Sequence, residues 1–258
     1  MSESHPPQHH NPWKKWGTAI AAGGVLALKF LPLLLKAGGT MILSIVVYAY
    51  FWGWRFAVGF VVLMLVHECG HLVAARRCGL KVSMPMFIPF MGAVIALKEA
   101  PRNAWIEAQV GIGGPLMGTA GAFACLFAYE FLHNPLFLVL AYTGFWLNLF
   151  NLIPIVPLDG GRVVTAISPW LWVAGLVLMV FVLLQSSFNL FIILIVGFSL
   201  PRVFALFGRR NEAERRYFEL TPGQRGLMSV IYFGLAGLLG WLMHDTQAQI
   251  DLLRAAGN

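Results

Sequence analysis

The sequence predicts an all-α, polytopic membrane protein with about six or seven transmembrane helices and a small membrane-associated β segment. Three observations carry this. Hydrophobic residues make up 59% of the 258 positions and charged residues only 11%, against about a quarter charged in ordinary soluble domains. The apolar residues run in nearly continuous stretches of the length a helix needs to cross the hydrocarbon, about 20 residues. One segment, 82–101, breaks the pattern with three prolines, Gly92 and strand-forming residues.

The net charge of +7 is not spread evenly: Arg202, Arg209, Arg210, Arg215, Arg216 and Arg225 fall in one break between apolar segments. Short cytoplasmic loops collect Lys and Arg, so topology accounts for the cluster. No interleaving of aromatic and basic residues suggests base stacking, and nucleic acid is not an expected partner. Cys69, Cys78 and Cys125 form neither an even framework nor a C-x-x-C pair. A disulfide scaffold is not expected.

In chain order, residues 1–16 read as a polar, Pro-rich, disordered tail whose His5, His9 and His10 are solvated. No cleavable signal peptide is expected, because the apolar stretch after Lys15 lacks a small-residue cleavage site. Residues 17–243 form one membrane domain, with a catalytic core at about 40–165 and a C-terminal tail at 244–258. The stretch 17–35 is interrupted by Lys29 and Pro32 and flanked by Lys36, which suits either a span or an interfacial helix; the interfacial helix is preferred because the spans that follow then obey the positive-inside rule. Residues 40–54 then cross outward and 56–76 return, delivering Arg76, Arg77 and Lys81 to the cytoplasm. Trp52 and Trp54 fall in the outer aromatic belt.

The segment 82–101 reads as short strands that line a site, since non-helical backbone at a membrane must be satisfied by protein or by a water-lined cavity. Residues 104–131 and 135–153 form an outward and an inward span around a turn at His133, Asn134 and Pro135. Residues 170–185 and 188–207 form another pair that ends in the arginine cluster, and 226–241 is the last span.

The chemistry is carried first by Val66-His67-Glu68-Cys69-Gly70-His71-Leu72, an H-E-x-x-H run within an apolar helix. Ionisable groups are expensive inside a membrane and point to function there. At about 100° per residue, His67 and His71 lie about 40° apart on one face, one turn separated, which suits two imidazole bonds to one zinc ion. Glu68 flanks that face, placed to take a proton from attacking water without being a ligand. Cys69 projects roughly opposite His67 and reads as packing, and Gly70 allows close approach of another backbone.

A catalytic zinc of this kind takes three protein ligands, so two histidines need a partner. Asp159 lies in Asn151-Leu152-Ile153-Pro154-Ile155-Val156-Pro157-Leu158-Asp159-Gly160-Gly161-Arg162, which topology returns to the side of His71. Alone it would be a turn residue or a salt-bridge partner of Arg162. The empty ligand position makes it the third ligand. Asn148 and Asn151 also sit in an apolar helix, where either can donate to an oxyanion or bond helix to helix. Gly114 and Gly118 have small-x-x-x-small spacing, which predicts helix packing without chemistry.

Together, H67-E-C-G-H71, G114-P-L-M-G118 and N151-L-I-P-I-V-P-L-D159-G-G resemble the site-2 protease family of intramembrane metalloproteases over about residues 62–162. The resemblance implies a Zn2+ enzyme that cleaves single-pass membrane proteins within or near the bilayer. It further implies zinc on His67, His71 and Asp159, Glu68 as the catalytic glutamate, and Asn151 as the asparagine eight residues before the aspartate. Family members often carry a PDZ or CBS domain, for which this sequence has no room. A substrate must be unwound before cleavage, and addition as a strand to an exposed edge, taken as 92–97, would hold it extended.

The expected setting is the bilayer of a bacterial cytoplasmic membrane, multi-pass, with the active site toward the cytoplasm. A proteolytically silent membrane metal-binding scaffold is the alternative, and intact Glu68 argues against it. A metal or proton transporter would need more ionisable residues along several spans. The sequence specifies neither an oligomeric state nor a particular substrate.

Overall fold

A computed structural model of the chain describes residues 38–83, 86–89, 92–94, 98–185, 189–208 and 211–256. The expected tail at 1–16 and interfacial helix at 17–35 lie outside the described residues, as do Arg209 and Arg210.

Helix α1, Gly38–Trp52, meets α2, Trp54–Arg77, at Gly53, whose φ of 81° falls in the left-handed region that favours glycine. Arg76 and Arg77 close α2, where cationic groups suit the C-terminal end of the helix dipole. A hairpin follows, of β1, Met86–Ile88, antiparallel to β2, Gly92–Val94, with Phe87 opposite Ala93. The strands expected between 82 and 101 are therefore present, each three residues long.

Helix α3, Ala104–Leu132, starts where the Asn103 side chain accepts a hydrogen bond from the Ile106 N–H at 2.9 Å. It stops at His133, whose φ is 50°. Asn134 then caps α4, Pro135–Asn151, with proline in its first turn, so the expected turn is built from two caps back to back. A tight loop leads to α5, Asp159–Ile167, then α6, Leu171–Gln185, and α7, Leu190–Phe204, which is extended by a 3-10 turn to Phe207. A short α8, Glu212–Tyr217, begins with a reciprocal Asn211–Glu214 capping box. Last comes α9, Pro222–Ala256.

That last helix runs on past the expected span: residues 244–256, read from the sequence as a tail, continue it for several turns. The reason is amphipathic spacing, since Leu239, Leu242, Thr246 and Ile250 are all buried although His244, Asp245, Gln247 and Gln249 among them are polar.

Four helices, Trp54–Arg77, Ala104–Leu132, Leu190–Phe207 and Pro222–Ala256, are long and apolar enough to cross a membrane, and three shorter apolar helices accompany them. The chain is an integral, multi-pass, all-α membrane protein. Its centre is α3, which packs on α2, α4 and α5, while α9 lies across α4 and α5. The largest apolar cluster, including Phe145, Val163, Trp172 and Leu239, joins α3, α4, α5, α6 and α9.

Away from that cluster, one polar clamp ties the later helices to α3. Buried Glu107 accepts from the Tyr217 hydroxyl at 2.6 Å and from Arg202 at 3.4 Å. Arg202 also lies over the Trp172 ring, 5.3 Å from its centre. Burial, and then the hydrogen bond to Glu107, pushes the Tyr217 phenol above its ordinary range. Arg225 donates to the carbonyls of Ile167 and Phe218 at 2.9 and 2.8 Å. Two arginines of the basic cluster therefore hold the fold together in addition to any role in topology.

Candidate metal centre

The site begins with the α2–α3 contact, which needs two glycines. A Cβ at Gly70 would strike the Gly113 carbonyl, and one at Gly113 would meet Ala74 Cβ and the Gly70 carbonyl, both at 2.7 Å. Close approach at Gly70, expected from the sequence, is realised against α3. It brings the face of α2 that carries His67 and His71 up to α3.

A second approach brings in α5. A Cβ at Gly160 would enter the space of the Leu152 and Ile153 carbonyls, and one at Gly161 would press on Ile155 and Val156 backbone. The loop from 152 to 158 folds back tightly over the start of α5 for this reason. Trp172 donates to the Gly161 carbonyl at 2.7 Å and the Tyr232 hydroxyl to the Leu152 carbonyl at 2.5 Å, fixing the turn from both sides. Asp159 thereby becomes the first residue of α5, where the helix dipole favours a carboxylate.

These approaches converge three atoms. His67 Nε2 lies 3.0 Å and His71 Nε2 3.1 Å from Asp159 Oδ2, and the two Nε2 atoms are 3.1 Å apart. All three side chains are buried. Asp159 engages the two histidines, not Arg162.

The other ring nitrogens show which atoms face inward. His71 Nδ1 donates to the Val110 carbonyl at 2.7 Å, and His67 Nδ1 lies 2.8 Å from Asn148 Oδ1. With the protons held on Nδ1, both Nε2 lone pairs and a carboxylate oxygen crowd one point. Such an electron-rich triangle calls for a cation at its centre. Zinc bonds of about 2.0–2.1 Å at tetrahedral angles place ligand atoms roughly 3.3 Å apart, so the triangle fits zinc with little adjustment. His67, His71 and Asp159 are thus a group able to hold a metal ion.

Glu68 is buried beside this triangle. Among the described residues its carboxylate makes no hydrogen bond, so it is uncommitted. Asn151 donates to its own helix at Leu147 O, 3.1 Å away. Asn148 is the asparagine in contact with the histidine pair. Cys69, Cys78 and Cys125 are free and half-buried.

Two residues of the site were read from sequence as packing. A Cβ on Gly114 would collide with His71 Nε2 and lie 2.7 Å from His67 Nε2, and one on Gly118 would collide with the Asn148 amide. Their four-residue spacing did announce a close approach, but not that the neighbours are ligand side chains.

Residues 55–135, from the start of α2 to the start of α4, match the Peptidase family M50 model. The chain is similar to the zinc metalloprotease MJ0392 of Methanocaldococcus jannaschii, 34% identical over 130 residues, which is 48% of this chain and 37% of that protein. It is also similar to Rip3 of Mycobacterium tuberculosis, 35% identical over 126 residues, 45% of this chain and 30% of that one. Stage IV sporulation protein FB of Bacillus subtilis is 30% identical over 102 residues, 39% of this chain and 35% of its own. The chain spans about a third of the length of these curated relatives. The H-E-x-x-H helix and the α3 that cradles it therefore both lie in the sequence that matches the Peptidase family M50 model.

Proposed function

We propose that the chain is an intramembrane zinc metalloprotease that hydrolyses peptide bonds of single-pass membrane proteins within or near the bilayer. The observation that carries the reading is the meeting of His67, His71 and Asp159 at 3.0–3.1 Å, from two segments 92 positions apart at most, beside an uncommitted buried glutamate.

In this reading His67, His71 and Asp159 hold the ion. When bound there, zinc supplies Lewis acidity, which lowers the pKa of water and polarises a carbonyl. The Glu68 carboxylate takes a proton from the attacking water and passes it to the departing amine as the C–N bond breaks. Asn151 is the proposed donor to the oxyanion; its amide carries two N–H groups, one of which is used at Leu147. The helices around the site exclude bulk water, which strengthens each of these interactions.

The hairpin supports a way to hold substrate. Phe87 is buried against α1 and α2 and its N–H donates to Thr40 Oγ1 at 3.2 Å, so the outer edge of β1 is engaged. The outer edge of β2, Gly92–Val94, is then the proposed docking edge for an unwound substrate strand. Residues 95–97 of the expected edge lie outside the described residues. Arg76 and Arg77 at the end of α2 favour an active site toward the cytoplasmic side, in a bacterial cytoplasmic membrane.

The test is a quantitative comparison of membrane-protein fragments in cells carrying wild-type protein or Glu68→Gln. Fragments that depend on the wild type, with rates lowered on the order of 10²–10⁴-fold by the substitution, are expected. Identical fragments at identical rates from both would overturn the reading.

A further inference from the structure

The site reading leaves Asn148 without a role, although it is 2% exposed and sits in a helix that must span apolar surroundings. We propose that Asn148 is a positioning residue that fixes the tautomer and aim of His67, and that Gly118 is the gap in α3 that admits its amide. The proposal rests on His67 being a metal ligand.

Both ends of the amide are committed. Its nitrogen donates to the Gly144 carbonyl at 2.7 Å on its own helix, one turn back. That bond orients the amide so that Oδ1 faces His67 Nδ1 at 2.8 Å. An amide oxygen only accepts, so the proton between them belongs to Nδ1 and the Nε2 lone pair is left for the metal. A partner of this kind fixes ring orientation and raises ligand basicity. The same arrangement turns Asn148 away from an oxyanion role, since its oxygen and not its nitrogen faces the site.

The two histidines are held differently. His71 is aimed by a backbone carbonyl, that of Val110, which no side-chain change removes. His67 depends on a side chain. That side chain reaches it through a space that exists because residue 118 is glycine: an added Cβ would collide with Oδ1 and sit 2.8 Å from Nδ2. Gly114, one turn earlier on the same face of α3, leaves the matching space for the two Nε2 atoms. The stripe therefore serves both histidines through Nε2 at Gly114, and His67 a second time through its Nδ1 partner at Gly118.

Zinc affinity by chelator competition, and the visible spectrum of the Co2+-substituted protein, test this on the full chain in detergent. Asn148→Leu keeps the volume and removes the acceptor; zinc affinity should fall by about 10–100-fold and the Co2+ bands should change. Asn148→Asp restores an acceptor for Nδ1 and should recover affinity to within about threefold of wild type. Gly118→Ala should weaken zinc when Asn148 is present but add little in an Asn148→Ala background, where the amide it displaces is gone.

Thermal unfolding of the metal-free proteins separates a merely structural role. If Asn148→Leu lowers stability while zinc affinity and the Co2+ spectrum stay at wild-type values, the proposal is overturned. It is equally overturned if Asn148→Asp binds no better than Asn148→Leu. Should the Leu variant not fold, the Asp variant and the Gly118→Ala pair decide in its place. Failure of the wild type itself to bind zinc would instead sink the metal reading, which His67→Ala checks in parallel.

Discussion

The α2–α3 pair and helix α7 are both apolar enough to span a bilayer, yet they are built by different rules. In the most apolar stretch of α3, 44% of residues are buried inside the protein, and in α2 39%, against 22% in α7. Gly70, Gly113 and Gly114 of the first pair touch backbone or ligand side chains, whereas Gly197 in α7 has nothing among the described residues within 4 Å of the position a Cβ would take. The first region uses glycine to bring polar groups together. The second is apolar surface around them, anchored through Arg202 to the clamp at Glu107. Hydrophobicity alone thus does not distinguish a helix that builds a site from one that covers it; the close contacts do.

The largest expected effect breaks the first region at its centre. Gly114→Ala places a methyl against both Nε2 atoms, and zinc affinity should fall by about 100-fold or more while helicity is retained, read by metal titration beside circular dichroism. Next is Gly160→Ala, whose methyl meets the Leu152 and Ile153 carbonyls. Rigid backbone cannot yield as a side chain would, so a loss of about 3 kcal/mol is expected in reversible unfolding.

The clamp gives a smaller effect with a defined pH sign. Tyr217 has its phenol raised in the folded protein, so its contribution is fully present below the unfolded value, about pH 10, and is lost as pH rises through the folded one. The melting temperature of the wild type should fall more steeply above about pH 10 than that of Tyr217→Phe, which starts lower by about 1 kcal/mol of stability. At the other extreme, Gly197→Ala fills open space in a helix interior and should stabilise by up to about 1 kcal/mol. Opposite signs at Gly160, in the turn that brings Asp159 to the α2–α3 pair, and at Gly197 would sharpen the contrast between the site and α7; equal signs would remove it.

How much was legible in sequence follows from how local each signal is. His67, Glu68 and His71 lie within one helical turn and a residue, so spacing alone aligned them. Asp159 is 88 residues beyond His71 and became visible only through the ligand count, the predicted return of the chain and the family resemblance together. Asn148 and Asn151 were indistinguishable as donors because three residues of spacing cannot say which faces α2. The glycines at 114 and 118 reported closeness without naming a partner. The far end of α9 was hidden by its charges, although Thr246 and Ile250 continue the buried spacing of Leu239 and Leu242. In that helix the period carried more information than the composition.

The central claim is that one metal centre is assembled from α2 and the first residue of α5. Zinc per chain, measured by elemental analysis on purified wild type, Asp159→Ala and Asp245→Ala, tests it most directly. The account predicts one zinc in the wild type and in Asp245→Ala, whose carboxylate bonds to Gln249 within α9, and below about a tenth in Asp159→Ala. A full zinc retained in Asp159→Ala would contradict it.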